Sequence, residues 1–330
     1  MTGPNGSLFA GIDLGGTNIN GALGDASGNL LQEERQPTLA NEGQDAVIGR
    51  MASMIERMAQ RAGGMPEALG IGVPGLVDVS SGETRFLPNL PTQWRDVPLA
   101  TLLGKRLGCR VYLLNDARAA ALGESMFGHG RKARTMVLFT LGTGVGGGIV
   151  IDGRLHLGPL GAAGEIGHIC VQPDGPWCSC GSRGCLEVFA SGPALAAEGL
   201  RLMRSGNAER LSRICKGDVS LISPETLGEA AAEGDTGARE AIRRAGSLIG
   251  LAASSVVLAL HPDLIVLGGG VSALDALLIP PMREAIEQRV RMFPVNNLRI
   301  LRSHLGDRAG VYGGLAAAVQ GGVTLAQHPS

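Results

Sequence analysis

The chain has 330 residues and a mass of 33.9 kDa, enough for about two domains with a sizeable buried core, which excludes a peptide module or a disulfide-stapled miniprotein. With 44% hydrophobic residues, 18% charged residues and a formal net charge of -1, it has neither the low hydropathy of a disordered chain nor the basic excess of a nucleic-acid binder. The 52 glycines far exceed an average share of about 7% and follow no collagen period, so tight turns or close backbone approaches to a ligand are expected.

The first residues, Met1 to Gly6, lack the basic start and apolar stretch of a secretory signal, and the expected compartment is the cytoplasm. A strand is predicted from Leu8 to Asp13, ending at the Gly15-Gly16 turn, with a second from Ile19 to Leu23 and a third after the turn from Gly24 to Asn29. Glu42 to Arg61 sets Val47, Met51, Met54, Ile55 and Met58 at helical spacing. Strands Ala68 to Val73 and Arg110 to Leu114 follow, then a helix over Ala117 to Met126. The opening pattern then recurs: strand Thr135 to Leu141, a glycine turn from Gly142 to Gly147, and a returning strand Gly148 to Ile151. Asp13-Leu14-Gly15-Gly16-Thr17 and Leu141-Gly142-Thr143-Gly144 thus hold the same place in two hairpins, a weak internal duplication.

Later elements alternate. A helical stretch follows Ser191, and the apolar run Ala245 to Leu260, interrupted by Gly250 and three serines, is too short for a span of roughly 20 residues and reads as a buried helix. A buried strand, Leu264 to Leu267, ends in Gly268-Gly269-Gly270; a helix after Asp275, a strand Leu298 to Leu301 and a helix Ala309 to Gln320 complete the chain. The architecture expected is mixed α/β, two sheets sandwiched by helices with a ligand cleft between the halves.

Glycine turns after strands let backbone N–H groups approach phosphate oxygens. Gly142-x-Gly144-x-x-Gly147 and Gly70-x-Gly72-x-x-Gly75 both match a dinucleotide fingerprint, but neither precedes a predicted helix, which argues against a dehydrogenase; no P-loop motif is present. Two such hairpins together with Gly268 to Gly270 point to a phosphate-bearing nucleotide. Asp13, beside the first turn, suits either a hydrated Mg²⁺ or the capping of its own turn.

His168, Cys178, Cys180 and Cys185 lie in one short segment with Gly181 and Gly184 to fold it. Three thiolates and an imidazole make a closed, structural Zn²⁺ site. Glu165, three residues before His168, shares its face on a helical turn, and Glu187 follows the last cysteine by two. Asn115-Asp116 ends a strand, where open α/β folds place reactive groups; Asp116 suits a general base and, equally, the cap of the following helix.

These motifs, with Gly72-Val73-Pro74-Gly75, Pro88-Asn89-Leu90, Gly164-Glu165-Ile166-Gly167-His168 and Ala309-Gly310, resemble the ROK sugar kinases, most closely the bacterial glucokinases, over nearly the whole chain. The resemblance implies the duplicated actin-like, hexokinase-type fold, with one domain over 1–134 plus a C-terminal helix at about 307–321 and a larger one over 135–306 carrying the zinc-bound loop. It implies ATP and Mg²⁺ bound by Asp13, Gly15, Gly16, Thr17, Gly142, Thr143, Gly144, Gly268, Gly269 and Gly270. It also implies Asp116 as general base for phosphorylation of a hexose, glucose first, with Asn89, Asn115, Glu165, His168 and Glu187 holding the sugar. Kinases for other hexoses or N-acetylhexosamines share this framework. A homodimer or homotetramer, with no nucleic-acid or membrane partner, is expected. Asn18 stands where many members carry Lys, and the stretch from Asn89 to Trp94 is slightly long. The family also contains sugar-responsive repressors, whose N-terminal helix-turn-helix would need more than the twelve residues ahead of Asp13.

Overall fold

The structure, a computed structural model, describes residues 7–87, 90, 91 and 94–323. In chain order the elements are β1 (Phe9–Leu14), β2 (Asn18–Gly24), β3 (Leu30–Pro37), α1 (Gln44–Ala62), β4 (Ala68–Val73), β5 (Leu76–Asp78), β6 (Glu83–Phe86), α2 (Leu99–Leu107), β7 (Arg110–Asn115) and α3 (Asp116–Phe127). Then come β8 (Thr135–Leu141), β9 (Val145–Ile151), β10 (Arg154–Leu155), α4 (Glu187–Ala190), α5 (Gly192–Arg204), α6 (Glu209–Ile214), α7 (Pro224–Ala232) and α8 (Thr236–Leu260). β11 (Leu264–Gly268), α9 (Asp275–Arg289), β12 (Arg299–Arg302) and α10 (Ala309–Val319) follow.

Two five-stranded sheets carry the fold, ordered β3-β2-β1-β4-β7 and β10-β9-β8-β11-β12. The same chain path builds each: a meander whose first strand then takes a crossover strand on its other edge. β1 runs parallel to β4 and β4 to β7, as β8 does to β11 and β11 to β12. This is the mixed-sheet, actin-like architecture expected. Contacts divide the chain into unit 1 (Met1–Arg134, Gly148–Gly164, Asp307–Ser330) and unit 2 (Thr135–Gly147, Glu165–Gly306).

In unit 1, α1 covers the sheet with Val47, Met51, Met54, Ile55 and Met58, all fully buried, and stops at Gly63, whose left-handed conformation lets its N–H close on Ala59. α10 is different. Its Gly- and Ala-rich face meets backbone directly: a Cβ on Gly70 would stand 2.0 Å from the Gly314 carbonyl oxygen, and one on Gly11 2.2 Å from that of Val311. This is the physical reason for the glycine at Gly70 in β4, while Gly72 faces α3, where a Cβ would stand 3.2 Å from that of Ala119; Gly70-x-Gly72-x-x-Gly75 packs against helices, and β5, not a phosphate turn, follows it. In unit 2, α8 is long and apolar enough to cross a membrane by composition, but most of that stretch is buried, with α7 and α9 packed against the helix.

The short hairpin β5–β6 and β10 go unforeseen by periodicity, because strands of two to four residues are too short for alternation to register, and α2, at nine residues, also goes unforeseen. β9 begins at Val145, three residues before the expected Gly148.

Gly70→Ala is expected to cost about 3 kcal/mol or more in urea melts, at the upper end of overpacking effects, because backbone cannot yield as a side chain does. Gly49→Ala, whose Cβ would meet only the end of the Arg106 side chain at 3.8 Å, is expected to gain up to about 1 kcal/mol from helix propensity. Equal stabilities for the two variants would contradict the backbone-to-backbone packing.

Candidate active site

In unit 1, Asp13 pairs across the hairpin with Asn20, whose Nδ2 donates to Oδ2 at 3.5 Å. The intervening turn is closed by the Gly15 N–H on the Asn18 carbonyl at 2.9 Å. Fully buried Thr38 braces it: the hydroxyl donates to Gly15 O at 2.7 Å and the N–H to Thr17 O at 2.8 Å. The first turn of α10 lies against the carboxylate so closely that a Cβ on Gly310 would be 2.6 Å from Asp13 Cγ. Desolvation pushes Asp13 from its ordinary 3.8 up to about 6, the charge of Asp116 adds to the rise, and the Asn20 hydrogen bond opposes it.

Asp116 opens α3. The cap is Asn115, whose Oδ1 accepts from the N–H groups of Ala117 and Arg118, so of the two roles open to Asp116 the capping one falls to its neighbour. The Asp116 Oδ1 accepts from the Ala117 N–H at 2.8 Å. Asn89 lies outside the described residues.

In unit 2, the Gly142 N–H closes on Gly144 O at 2.9 Å, and Glu187 holds the turn: its Oε2 accepts from the Val145 N–H at 3.0 Å. Gly142, Thr143 and Gly270 line a cavity of about 320 Å³ with Pro193, Ile222 and Pro224 among its apolar walls and Glu225 as a carboxylate. Gly268 ends β11, and Gly269 lies against the Leu141 backbone; neither lines the cavity.

His168, Cys178, Cys180 and Cys185 bring one ligand atom each to within 4.8 Å of one another. Cys178 Sγ is 3.6 Å from His168 Nδ1 and Cys180 Sγ is 3.7 Å from Cys185 Sγ. The segment folds back at Gly184, whose φ of 65° and approach to the Gln172 carbonyl admit no side chain. Burial and the two neighbouring thiols push Cys185 up to about 12. His168 is the last residue of a 3-10 turn, and its Nε2 is 3.9 Å from Glu165 Oε2, so the two do share a face.

The ROK family model matches residues 9–320. The chain belongs to the ROK family. It is 36% identical over 306 residues to a glucokinase from Thermotoga maritima, covering 92% of this chain and 94% of that one. It is 34% identical over 312 residues to a xylose repressor from Caldicellulosiruptor bescii, covering 94% of this chain and 77% of the repressor. Among solved structures, a ROK family glucokinase from Streptomyces griseus in complex with glucose and AMPPNP superposes with a TM-score of 0.81 at 34% identity, over 95% of this chain and all of that one.

Within this ROK chain, sequence reasoning misses Asn20, Thr38, Arg118, Gly310 and the apolar cavity walls. Asn20 is legible in the hairpin, since a turn at 15–17 sets it opposite Asp13. The cavity walls come from α5, α7 and the turns before them, which no single motif joins.

The raised Asp13 binds a proton in the folded state at pH values where the unfolded chain has lost it, so stability falls as pH rises from about 4 to about 6. The gap between about 6 and 3.8 corresponds to about 3 kcal/mol in full, and to about 2 after screening of a part-buried group. Asp13→Asn is therefore expected to stabilise the ligand-free protein by about 2 kcal/mol at pH 7.5, with the gain vanishing near pH 4 in urea melts; a pH-independent difference would contradict the assignment.

Proposed function

We propose that this chain is an ATP-dependent hexose kinase, with glucose its leading substrate and Asp116 its general base. The observation that carries the reading is the carboxylate pair Asp13 and Asp116, set at the C-terminal ends of β1 and β7, one beside a glycine turn and the other at a helix start. Such a pair suits a cation and a proton transfer better than a structural role, because each charge makes the other more costly.

The turns Gly15 to Thr17 and Gly142 to Gly144 take the ATP phosphates through N–H groups other than those of Gly15 and Gly142, which close the turns, and the cavity beside Gly142 and Gly270 takes the nucleoside, its apolar walls suited to a purine. The oxygens of Asp13 and Asn20 are hard donors of the kind Mg²⁺ prefers, and that ion, when bound, neutralises phosphate charge. Asn89, Asn115, Glu165, His168 and Glu187 hold the sugar hydroxyls. Asp116 accepts the proton of the attacking hydroxyl as its oxygen bonds to the γ-phosphorus; the bond from that phosphorus to the bridging oxygen breaks, ADP departs and a hexose 6-phosphate remains. The thiol cluster fits Zn²⁺ in donor type, number and spacing. It would leave no open position, so its part is to hold the segment that carries Glu165, His168 and Glu187.

ADP release coupled to a reporter should detect turnover with ATP and Mg²⁺ over glucose, mannose, allose, fructose, N-acetylglucosamine and N-acetylmannosamine, highest for glucose. Binding of a sugar without ADP release would instead favour the regulatory reading that similarity to a xylose repressor raises. Asp116→Asn is expected to keep sugar affinity within a few-fold while lowering kcat by about 10² or more. Parallel losses in both would make Asp116 a fold residue.

Elemental analysis should find one zinc per chain. Cys180→Ala should lose it, melt earlier and raise KM for the sugar with little change in KM for ATP, whereas Cys215→Ser should retain it. Wild-type protein without zinc, or a Cys180→Ala variant with normal sugar binding, would sever the link between the thiol cluster and the sugar site.

A further inference from the structure

We infer that Arg118 is a positioning residue that fixes the orientation of the Asn115 amide, so that Asn115 can meet a sugar hydroxyl only as a hydrogen-bond donor. This rests on the kinase reading for the identity of the ligand, and on the geometry of unit 1 for the rest.

A primary amide offers two acceptor lone pairs and two N–H donors. On Asn115, the oxygen is fully used: Oδ1 accepts from the Ala117 N–H at 3.1 Å, the Arg118 N–H at 3.3 Å and the Arg118 Nη1 at 2.8 Å. Its Nδ2 donates to the Gly75 carbonyl at 3.1 Å. Turning the amide over would set an NH₂ group against three N–H donors and an oxygen against a carbonyl, so every contact would become repulsive. The network therefore decides the orientation, and one N–H on Nδ2 is what the side chain has left for a ligand.

Two of the three donors are backbone and come with any helix start. The third is a permanent cation, and Arg118 is only 3% exposed. Its fork is held in turn, Nε donating to Ala163 O at 3.1 Å and Nη2 to Ala162 O at 2.9 Å. A planar guanidinium pinned on two carbonyls cannot swing away from Asn115 as an ammonium on a flexible stem would. Those carbonyls belong to a stretch in which Gly158, Gly161 and Gly164 all have positive φ, and the chain runs from there directly into Glu165. One buried cation thus ties Asn115 to the segment that leads into Glu165.

The polarity has a chemical consequence. A hydroxyl that accepts from Asn115 keeps its own proton for a different acceptor, and a carboxylate stands at the next residue in the chain. A donor at 115 thus leaves the proton of the hydroxyl to another group, whereas an acceptor would compete for it.

The test is calorimetric and kinetic. Asn115→Asp keeps the size, the helix cap and the pairing with Arg118 but replaces Nδ2 by an acceptor, so it loses both the bond to the Gly75 carbonyl and the donor left for the ligand, and the unchanged Kd for ATP is the control that unit 1 stays folded. Its Kd for glucose should rise about 10-fold or more, the order of one lost hydrogen bond, with Kd for ATP changed less than about 3-fold. Arg118→Met should raise KM for glucose similarly and Arg118→Lys by less, again with little effect on KM for ATP. Glucose binding by Asn115→Asp within 2-fold of wild type overturns the inference, whether or not Arg118→Met folds. So does an Arg118→Met variant that loses ATP and glucose affinity alike. Wild-type protein that binds glucose but transfers no phosphate contradicts the kinase reading and leaves the donor assignment standing on the Asn115→Asp result; wild-type protein that binds no sugar overturns both.

Discussion

Helix α10 touches β1, β4 and α3 through backbone, and most of unit 1 follows from that closeness. Its Gly313 and Gly314 admit no Cβ against Ala119 and Gly70, and the Gly123 of α3 admits none against Gly313. Packing at this distance leaves no slack for side chains to rearrange, so the ends of β1 and β7 and the start of α3 are held in one arrangement. That arrangement brings Asp13 beside Gly310 and near enough to Asp116 to feel its charge. A carboxylate kept buried next to another is unfavourable by itself. The small-residue packing around it offsets the cost.

Unit 2 solves a different problem. Between β10 and α4 the described chain has only a 3-10 turn and isolated bridges at Cys170 with Cys185 and Trp177 with Arg183, too little regular structure to fix side chains. A divalent ion held by His168, Cys178, Cys180 and Cys185, whose ligand atoms lie within 4.8 Å of one another, would supply the missing constraint and turn the repulsion among the thiolates into cohesion. Glu187 links that segment to the glycine turn through the Val145 N–H. One side chain thus couples the expected sugar loop to the expected phosphate turn.

Much of this was legible in the chain. The two hairpins with their glycine turns, the repeat of one strand order and the cysteine-histidine spacing all depend on local pattern, and each lies where pattern puts it. The element boundaries slip by a few residues where strand ends run into turns, as at Val145. What escaped depends on contacts far apart in sequence. Arg118 reads as one more helix former in an Ala-rich stretch until the carbonyls of Ala162 and Ala163 are folded onto it. Gly310 reads as a weak point in a helix until Asp13 is found against its α-carbon. Gly70 and Gly72, half of a plausible dinucleotide fingerprint, lie in a strand packed against helices: Gly314 meets Gly70 and Ala119 approaches Gly72. In each case the residue type is chosen by a partner that local periodicity cannot name.

The chemistry assigned to unit 1 requires the charges of Asp13 and Asp116 to act on one another. Carbon-detected NMR of the aspartate carboxyls, followed from pH 3 to pH 8 in the ligand-free protein, measures it directly. Asp13 should titrate near 6, and in Asp116→Asn it should move down while staying above 3.8, since burial is the larger cause and the neighbouring charge the smaller. An Asp13 that titrates near 3.8 in the wild-type protein, or one indifferent to the loss of Asp116, would contradict the carboxylate pair and the chemistry built on it.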